Sequence, residues 1–489
     1  MDKYNQINLS IDWDKLIRDY QHKFSNYRVK EKQKKYQLFT QGNPETPKSL
    51  KLRDYQQEAV INWFKNKGRG TLKMATGSGK TITALAIATE LYEKIKLQVL
   101  LIVCPYRHLV VQWERECKKF NLNPILAFES VYNWQSKLST ELYNVQSYQK
   151  PFLTIITTNS TLIKQGFQSQ IKFFPEKTLI VGDEAHHLGS PRLESSLPRN
   201  IGLRLALSAT PERYFDEEGT DALLNYFGEV IKPEFTLADA IKKQALVPYL
   251  YYPIFVNLTE SEAFTYAKLT QRIGWALGEN DNLKNNDNLT SLLIQRSRLI
   301  GVAENKLTAL RELMKNLLET NYTLFYCGDG YLENEPKNHQ KQIAAVTRIL
   351  GRELGYRVNT YTAENTSEER EKIRQQFKKG DLQGLVSIRC LDEGIDIPEI
   401  EQAVILASSG NPHQFIQRRG RVLRPYRQKK QAIIYDMVVL PPDLDRATWE
   451  VERNLLRKEL KRFVEFAKIA KNAEEASHKF LAIQEQYSL

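Results

Sequence analysis

Gly70-Thr71-Leu72-Lys73-Met74-Ala75-Thr76-Gly77-Ser78-Gly79-Lys80-Thr81 follows an extended stretch and runs into a helical segment over Ile82–Leu91. Strand, glycine-rich turn and helix in that order form a cradle for phosphate. Small glycines let backbone N–H groups turn inward around phosphate oxygens, and the helix N-terminus adds the positive end of its dipole. In such a loop Thr76, Gly77, Ser78 and Gly79 line the phosphates, Lys80 reaches the β- and γ-phosphates, and the Thr81 hydroxyl binds Mg²⁺. The strict pattern has a glycine where this chain has Met74. A lone Gly-Ser-Gly-Lys-Thr arises in ordinary flexible turns, so a second element is needed to make it specific. Leu179-Ile180-Val181 is an apolar strand, and Asp183-Glu184-Ala185-His186 follows it, about a hundred residues after the loop. Asp183 would leave the strand's C-terminal end facing the same metal, and Glu184 would orient or deprotonate an attacking water. The pair points to ATP hydrolysis, with ATP and Mg²⁺ as the bound groups.

Outward from these elements, short apolar strands alternate with helical runs from Leu52 to about Phe227. The strands are Val99–Cys104, Leu153–Thr157, Thr178–Val181 and Leu203–Leu207. That alternation predicts a mostly parallel sheet with helices on both faces. Tyr249–Leu258 reads as a strand, Glu260–Leu277 as a helix, and the Asn-rich stretch after Gly278 as a solvated loop. Alternation resumes at Tyr322–Cys327, Arg357–Tyr361, Gly384–Ile388, Ala403–Ala407 and Ala432–Met437, a second α/β domain. The two halves show no internal repeat, although they could share a fold. Asp12–Tyr27 reads as a helix with Trp13, Leu16, Ile17 and Tyr20 on one face. The residues beyond Ala447 are charged and helical in composition.

A chain of 489 residues is long enough for two or three domains with their own cores. Its 70 basic and 58 acidic residues leave a net charge of +12, which favours a polyanionic partner, nucleic acid first. The four cysteines, Cys104, Cys117, Cys327 and Cys390, lack metal-ligand spacing and suit a reducing compartment. No apolar run approaches the ~20 residues of a membrane span, and the N-terminus has no signal-peptide core. The expectation is a soluble, cytoplasmic protein with no membrane partner.

The ordered motifs resemble those of superfamily-2 helicases and translocases with two RecA-like domains, over roughly residues 50–440. Leu52-Arg53-Asp54-Tyr55-Gln56-Gln57 resembles the adenine-reading segment upstream of the phosphate loop. Met74–Thr81 is similar to motif I as these proteins write it, Met74 included. Leu101–Pro105 resembles motif Ia, Thr157-Thr158 motif Ib, Asp183–His186 motif II and Ser208-Ala209-Thr210 motif III. Thr323–Tyr326 resembles motif IV, Leu391–Pro398 motif V, and Gln417–Arg424 the Gln-x-x-Gly-Arg-x-x-Arg form of motif VI. Within the superfamily, the DEAH sequence and the Leu52–Gln57 segment resemble XPB/RadD-like helicases and the motor subunits of type I and III restriction enzymes. Leu237–Pro248 is similar to the inter-domain segment of that group.

The resemblance implies an α/β fold of two tandem RecA-like domains with parallel sheets. The expected boundaries are a basic extension over 1–48, domain 1 over 49–230, an inter-domain insertion over 231–305, domain 2 over 306–442 and a helical tail over 443–489. It implies Arg53 and Gln56 at the nucleotide, with Gln56 the reader of adenine. Arg421 and Arg424 would supply positive charge from across the inter-domain cleft, and Gln417 would sense the γ-phosphate. Gly394 and Asp396 would link nucleotide to strand, and Ser208 and Thr210 would couple the domains. His186 would bridge toward domain 2. Arg107, Thr158 and Arg389 are the candidates for nucleic-acid contact.

The activity implied is that of an ATP-dependent DNA translocase or helicase in DNA repair or anti-phage defence. An RNA helicase is the second reading, and an ATP-switch scaffold in a larger complex the third. DEAD-box RNA helicases differ in motifs II and VI, so the resemblance favours DNA. No nuclease constellation stands in the sequence, so any cutting would fall to a nuclease or other defence or repair subunit. The N-terminal arm, the 231–305 stretch and the C-terminal helices are the expected docking surfaces.

Overall fold

The structure, a computed structural model, describes residues 11–25, 42–213, 216–278, 287–328, 330, 341–362, 364–388, 397–407, 419–427, 429–442 and 446–487. The chain divides into two compact units, residues 1–240 and 241–489.

In the first unit six strands form one parallel sheet: β1 (Arg69–Lys73), β2 (Val99–Cys104), β3 (Ile125–Ala127), β4 (Leu153–Thr158), β5 (Thr178–Asp183) and β6 (Leu203–Ser208). Their order is β1-β6-β5-β2-β4-β3. Strands β2, β4, β5 and β6 are buried along their whole length, as strands covered on both faces are. Register places the motifs together. Lys73 lies opposite Ser208, and Asp183 opposite Leu207. The phosphate loop, the acidic pair and the Ser-Ala-Thr segment therefore leave three adjacent strands at the same end of the sheet. Residues 229–235 shield the outer edge of β1, where the Glu229 carbonyl accepts from the Thr71 N–H and the Phe235 carbonyl from Ala75.

Helix α1 (Trp13–Ser25) comes from the expected extension, yet it packs on helix α2 (Asp54–Lys65). Leu16 and Tyr20 are buried, and the Trp13 ring lies edge-on to Trp63 at 6.4 Å. Lys23 pairs with Glu90 at 2.5 Å and Lys94 with Asp19 at 3.0 Å, so the polar flank of α1 reaches helix α3 (Lys80–Ile95). The expected basic run Arg28–Lys35 lies outside the described residues.

The second unit contains β7 (Tyr249–Asn257), β8 (Thr323–Cys327), β9 (Val358–Tyr361), β10 (Gly384–Ile388), β11 (Gln402–Ile405) and β12 (Ala432–Leu440), again all parallel. Their order is β7-β12-β11-β8-β10-β9. Counted from the first strand of each unit, the two orders are identical. The first strand of the second sheet is β7, which falls inside the stretch expected as an insertion. It pairs with β12 over nine residues, from Tyr249 opposite Ala432 to Asn257 opposite Leu440. Residues 241–305 thus belong to the second unit. Helices Glu260–Gly278, Asp287–Val302 and Arg446–Ile469 share a further apolar cluster with Tyr266, Ile273 and Leu292 at its centre. No helix among the described residues is long and apolar enough to cross a membrane.

Candidate nucleotide site and its supporting residues

The loop after β1 turns through Gly77 and Gly79, at φ of +84° and +88°, and α3 begins at Lys80. Only glycine takes those angles without strain. At Gly79 a Cβ would also lie 2.6 Å from the Gln56 amide nitrogen. The Lys80 ammonium folds back on its own loop, donating to the Met74 carbonyl at 3.1 Å and to Ala75 at 3.4 Å. The Thr76 and Ser78 hydroxyls are buried and make no hydrogen bond among the described residues. Buried hydroxyls without partners are costly in a finished core, and in a loop that opens a helix they are what phosphate oxygens need. Thr81, half-buried in the first turn of α3, and Asp183 offer hard oxygen ligands of the kind Mg²⁺ prefers. The residues present therefore fit a magnesium nucleotide.

Gln56 is tied to the loop. Its side-chain oxygen accepts from the Arg53 N–H at 3.0 Å, and its amide nitrogen donates to the Gly79 carbonyl at 3.2 Å. The expected adenine reader thus also fastens the start of α2 to the phosphate loop. Tyr55, missed in the sequence, donates to the Ser78 carbonyl at 2.6 Å and stacks on Phe235 at 3.8 Å. Arg53 is exposed, and its guanidinium reaches the Tyr55 hydroxyl at 3.4 Å.

At the end of β5 the Asp183 carboxylate is buried and held from two sides. One oxygen accepts from the Glu184 N–H at 3.0 Å, the other from the Trp113 indole at 2.7 Å. Glu184 takes the left-handed conformation, φ +44°. A non-glycine residue there stores about 1–3 kcal/mol of strain, a cost that clusters at functional sites. Gly182 permits the turn, because a Cβ there would come within 2.8 Å of both Leu188 and Phe227.

His186 lies with its Nδ1 3.7 Å from the Glu184 carboxylate and 3.4 Å from the Ser208 hydroxyl. Ser208 Oγ in turn accepts from the Thr210 N–H at 3.1 Å. Within its own unit His186 therefore contacts the Ser-Ala-Thr segment. Arg213 donates to the His186 carbonyl and pairs with Asp216 at 2.7 Å, fixing the turn from below.

Of the expected nucleic-acid contacts, Arg107 is exposed at the start of helix α4 (Arg107–Lys119) and pairs with Glu129 at 3.3 Å. Thr158 is placed differently. It is buried, and its hydroxyl accepts from the Thr161 N–H at 3.3 Å, capping the short helix Asn159–Leu162. The neighbouring Ser160 is exposed. Arg389, Gly394, Asp396 and Gln417 lie outside the described residues.

In the second unit Arg421 is buried and Arg424 half-buried at the end of a helical turn. Two basic residues missed as functional hold that turn. Arg419, fully buried, pairs with Asp436 on β12 and lies over the Phe466 ring at 5.0 Å. Lys429 donates to the Val422 carbonyl and, at 3.0 Å, to that of Arg424. Burial pushes the Lys429 ammonium down to about 8, with Glu401 pulling it back and Arg424 pushing it further. Neither could be singled out by spacing, because their partners are β12, the C-terminal helix and backbone carbonyls.

Residues 49–213 match the family of the Type III restriction enzyme res subunit, and residues 335–426 match the helicase conserved C-terminal domain. The chain is similar to the DNA 3'-5' translocase XPB2 of Sulfurisphaera tokodaii, 27% identical over 398 residues that cover 80% of this chain and 82% of that protein. It is also similar to the DNA 3'-5' helicase XPB of Mycobacterium tuberculosis, 23% identical over 390 residues, 79% of this chain and 60% of that one. The chain spans less than two thirds of the length of that and several other relatives. Among solved structures it shares the fold of the ATP-dependent Type ISP restriction-modification enzyme LlaBIII bound to DNA. The TM-score is 0.55 and the identity 20%, over 87% of this chain and 31% of that one.

Proposed function

The chain belongs to superfamily 2 of the helicases and translocases, and we propose that it couples ATP hydrolysis to movement along DNA. The observation that carries the reading is the convergence of three strand ends. Lys73 with the phosphate loop, Asp183 with Glu184, and Ser208 with Thr210 leave β1, β5 and β6 side by side. Hydrolysis at such a site is a matter of positioning and charge stabilisation. Lys80 exchanges its two loop carbonyls for phosphate oxygens. Thr81 and Asp183 would hold magnesium, whose charge would offset that of the phosphates. Glu184 orients the attacking water, and its strained backbone keeps the carboxylate close to His186. Arg421 and Arg424 are the cations for the developing charge, with Arg419 and Lys429 fixing the turn that carries them. The His186–Ser208–Thr210 chain passes the state of the acidic turn to the Ser-Ala-Thr segment.

DNA is the track favoured by the net charge of +12 and by the names of the relatives. The role we assign this motor is in DNA repair or anti-phage defence, with any strand cutting left to a partner subunit. The test is the ATPase rate without nucleic acid and with single-stranded DNA, duplex DNA or single-stranded RNA, for wild type, Glu184→Gln and Arg421→Ala. DNA should stimulate the wild type; Arg421→Ala should lower the stimulated rate by about 10³-fold, as loss of a transition-state cation does in related NTPases, and Glu184→Gln by about 10²–10⁴-fold, as loss of a positioned base does. Equal rates with and without nucleic acid, or stimulation by RNA alone, would refute the reading.

A further inference from the structure

Helix α4 buries Leu109, Val110, Trp113 and Cys117, an inward stripe at helical spacing. Three of the four are satisfied by apolar contact alone. Trp113 is not, because a fully buried indole N–H needs an acceptor. It finds one in Asp183, seventy residues away on β5, at 2.7 Å. The second carboxylate oxygen takes the Glu184 N–H at 3.0 Å. Donors on both oxygens set the plane of the carboxylate. The choice of donor matters as well. An arginine or lysine in the place of Trp113 would orient Asp183 equally well but would neutralise it and compete with a cation. The indole fixes the group and leaves its charge intact.

We propose that Trp113 is a positioning residue for the divalent cation of the nucleotide site, holding the Asp183 carboxylate in the orientation that receives the ion. The proposal rests on the reading of this site as a magnesium-nucleotide site. Partners that orient a metal-binding group typically contribute 10- to 100-fold in metal affinity.

Two substitutions separate orientation from packing. Trp113→Phe retains much of the ring volume and loses the donor. Trp113→His loses more volume but keeps a five-membered ring with an N–H at the corresponding position. The measurement is binding of a fluorescent ATP analogue to the full chain across a Mg²⁺ titration and in EDTA, with thermal melting as the measure of packing. Trp113→Phe should raise the Mg²⁺ concentration for half-saturation about 10-fold, leave binding in EDTA unchanged, and recover kcat at high Mg²⁺. Trp113→His should melt lower than Trp113→Phe yet keep a Mg²⁺ response nearer the wild type. An unmoved Mg²⁺ response in Trp113→Phe, or shifts in both variants that simply follow their melting temperatures, would overturn the role of Trp113 alone. A wild type that binds no nucleotide at any Mg²⁺ concentration would overturn the site reading and this proposal with it.

Discussion

Lys306 is a heavily desolvated cation whose charge the second unit must tolerate. It is fully buried, donating to the carbonyls of Ile300 and Leu406, each at 2.6 Å. Burial pushes its ammonium down to about 7, and the charges of Asp436 and Glu262 recover only part of the loss. In the unfolded chain the same group titrates near 10.4. Below about pH 7 both states carry the proton and the destabilisation is fully present. Between pH 7 and about 10 the unfolded chain binds a proton that the folded one does not, so stability rises with pH. Relative to Lys306→Met, the wild type should gain about 1 kcal/mol of unfolding free energy per pH unit between pH 7.5 and 9.5. Denaturant unfolding across that range checks it, and parallel pH profiles would contradict it. Residues of this kind were not legible in the sequence. Gly77–Thr81 and Asp183–His186 were, because a loop and a turn carry their chemistry in consecutive positions. Trp113 was not, since its spacing with Leu109, Val110 and Cys117 reads as core and its acceptor lies seventy residues on. The cap that Thr158 forms was not legible either. A hydroxyl at a strand end looks the same in sequence whether it meets a phosphate or caps the next helix.

Among the elements, the helix Arg446–Ile469 connects distant parts of the second unit. Near its start Glu452 is buried against Arg296 of the helix Asp287–Val302, at 3.3 Å, and accepts from the Tyr266 hydroxyl at 2.6 Å. Glu459, about two turns further along the same face, pairs with the same Arg296 at 2.8 Å. Near its end Phe466 underlies Arg419, and its carbonyl accepts from Tyr249 on β7 at 2.6 Å. Burial raises the Glu452 pKa even beside Arg296, a sign that desolvation dominates that pair. Replacing Arg296 by Ala would leave a buried carboxylate without its cation. The expected cost is about 3–5 kcal/mol, read as a lower denaturant midpoint. A change under 1 kcal/mol would mean that the three helices are held by their apolar cluster alone. Most of the strands were legible as short runs bounded by turn residues, but the three-residue β3 was not. That β7 opens the second sheet was not, because pairing with β12, nearly two hundred residues later, leaves no local signal. Helix α1 was visible as an amphipathic stripe, but nothing in it said that Trp63 and Phe64 were its partners.

At the scale of the molecule, two units with the same strand order lie in tandem on one chain. Each brings basic or acidic groups to the ends of its strands: the phosphate loop and acidic turn in the first, and the Arg419–Arg424 turn before β12 in the second. Such a division suits a cycle in which nucleotide changes the relation of two similar bodies and the change is read out along a strand. A static ATP switch would need the binding residues but not the hydrolytic roles proposed for Glu184, Arg421 and Arg424. The distinction between motor and switch is therefore the central claim, and displacement measures it most directly. Wild type, Lys80→Ala and Glu184→Gln would be placed on duplex DNA bearing a bound third strand, and on single-stranded DNA bearing end-bound streptavidin. Wild type should strip at least one of these blocks in an ATP-dependent manner, and both variants should leave them in place. DNA-stimulated hydrolysis with no ATP-dependent displacement on either track would contradict it.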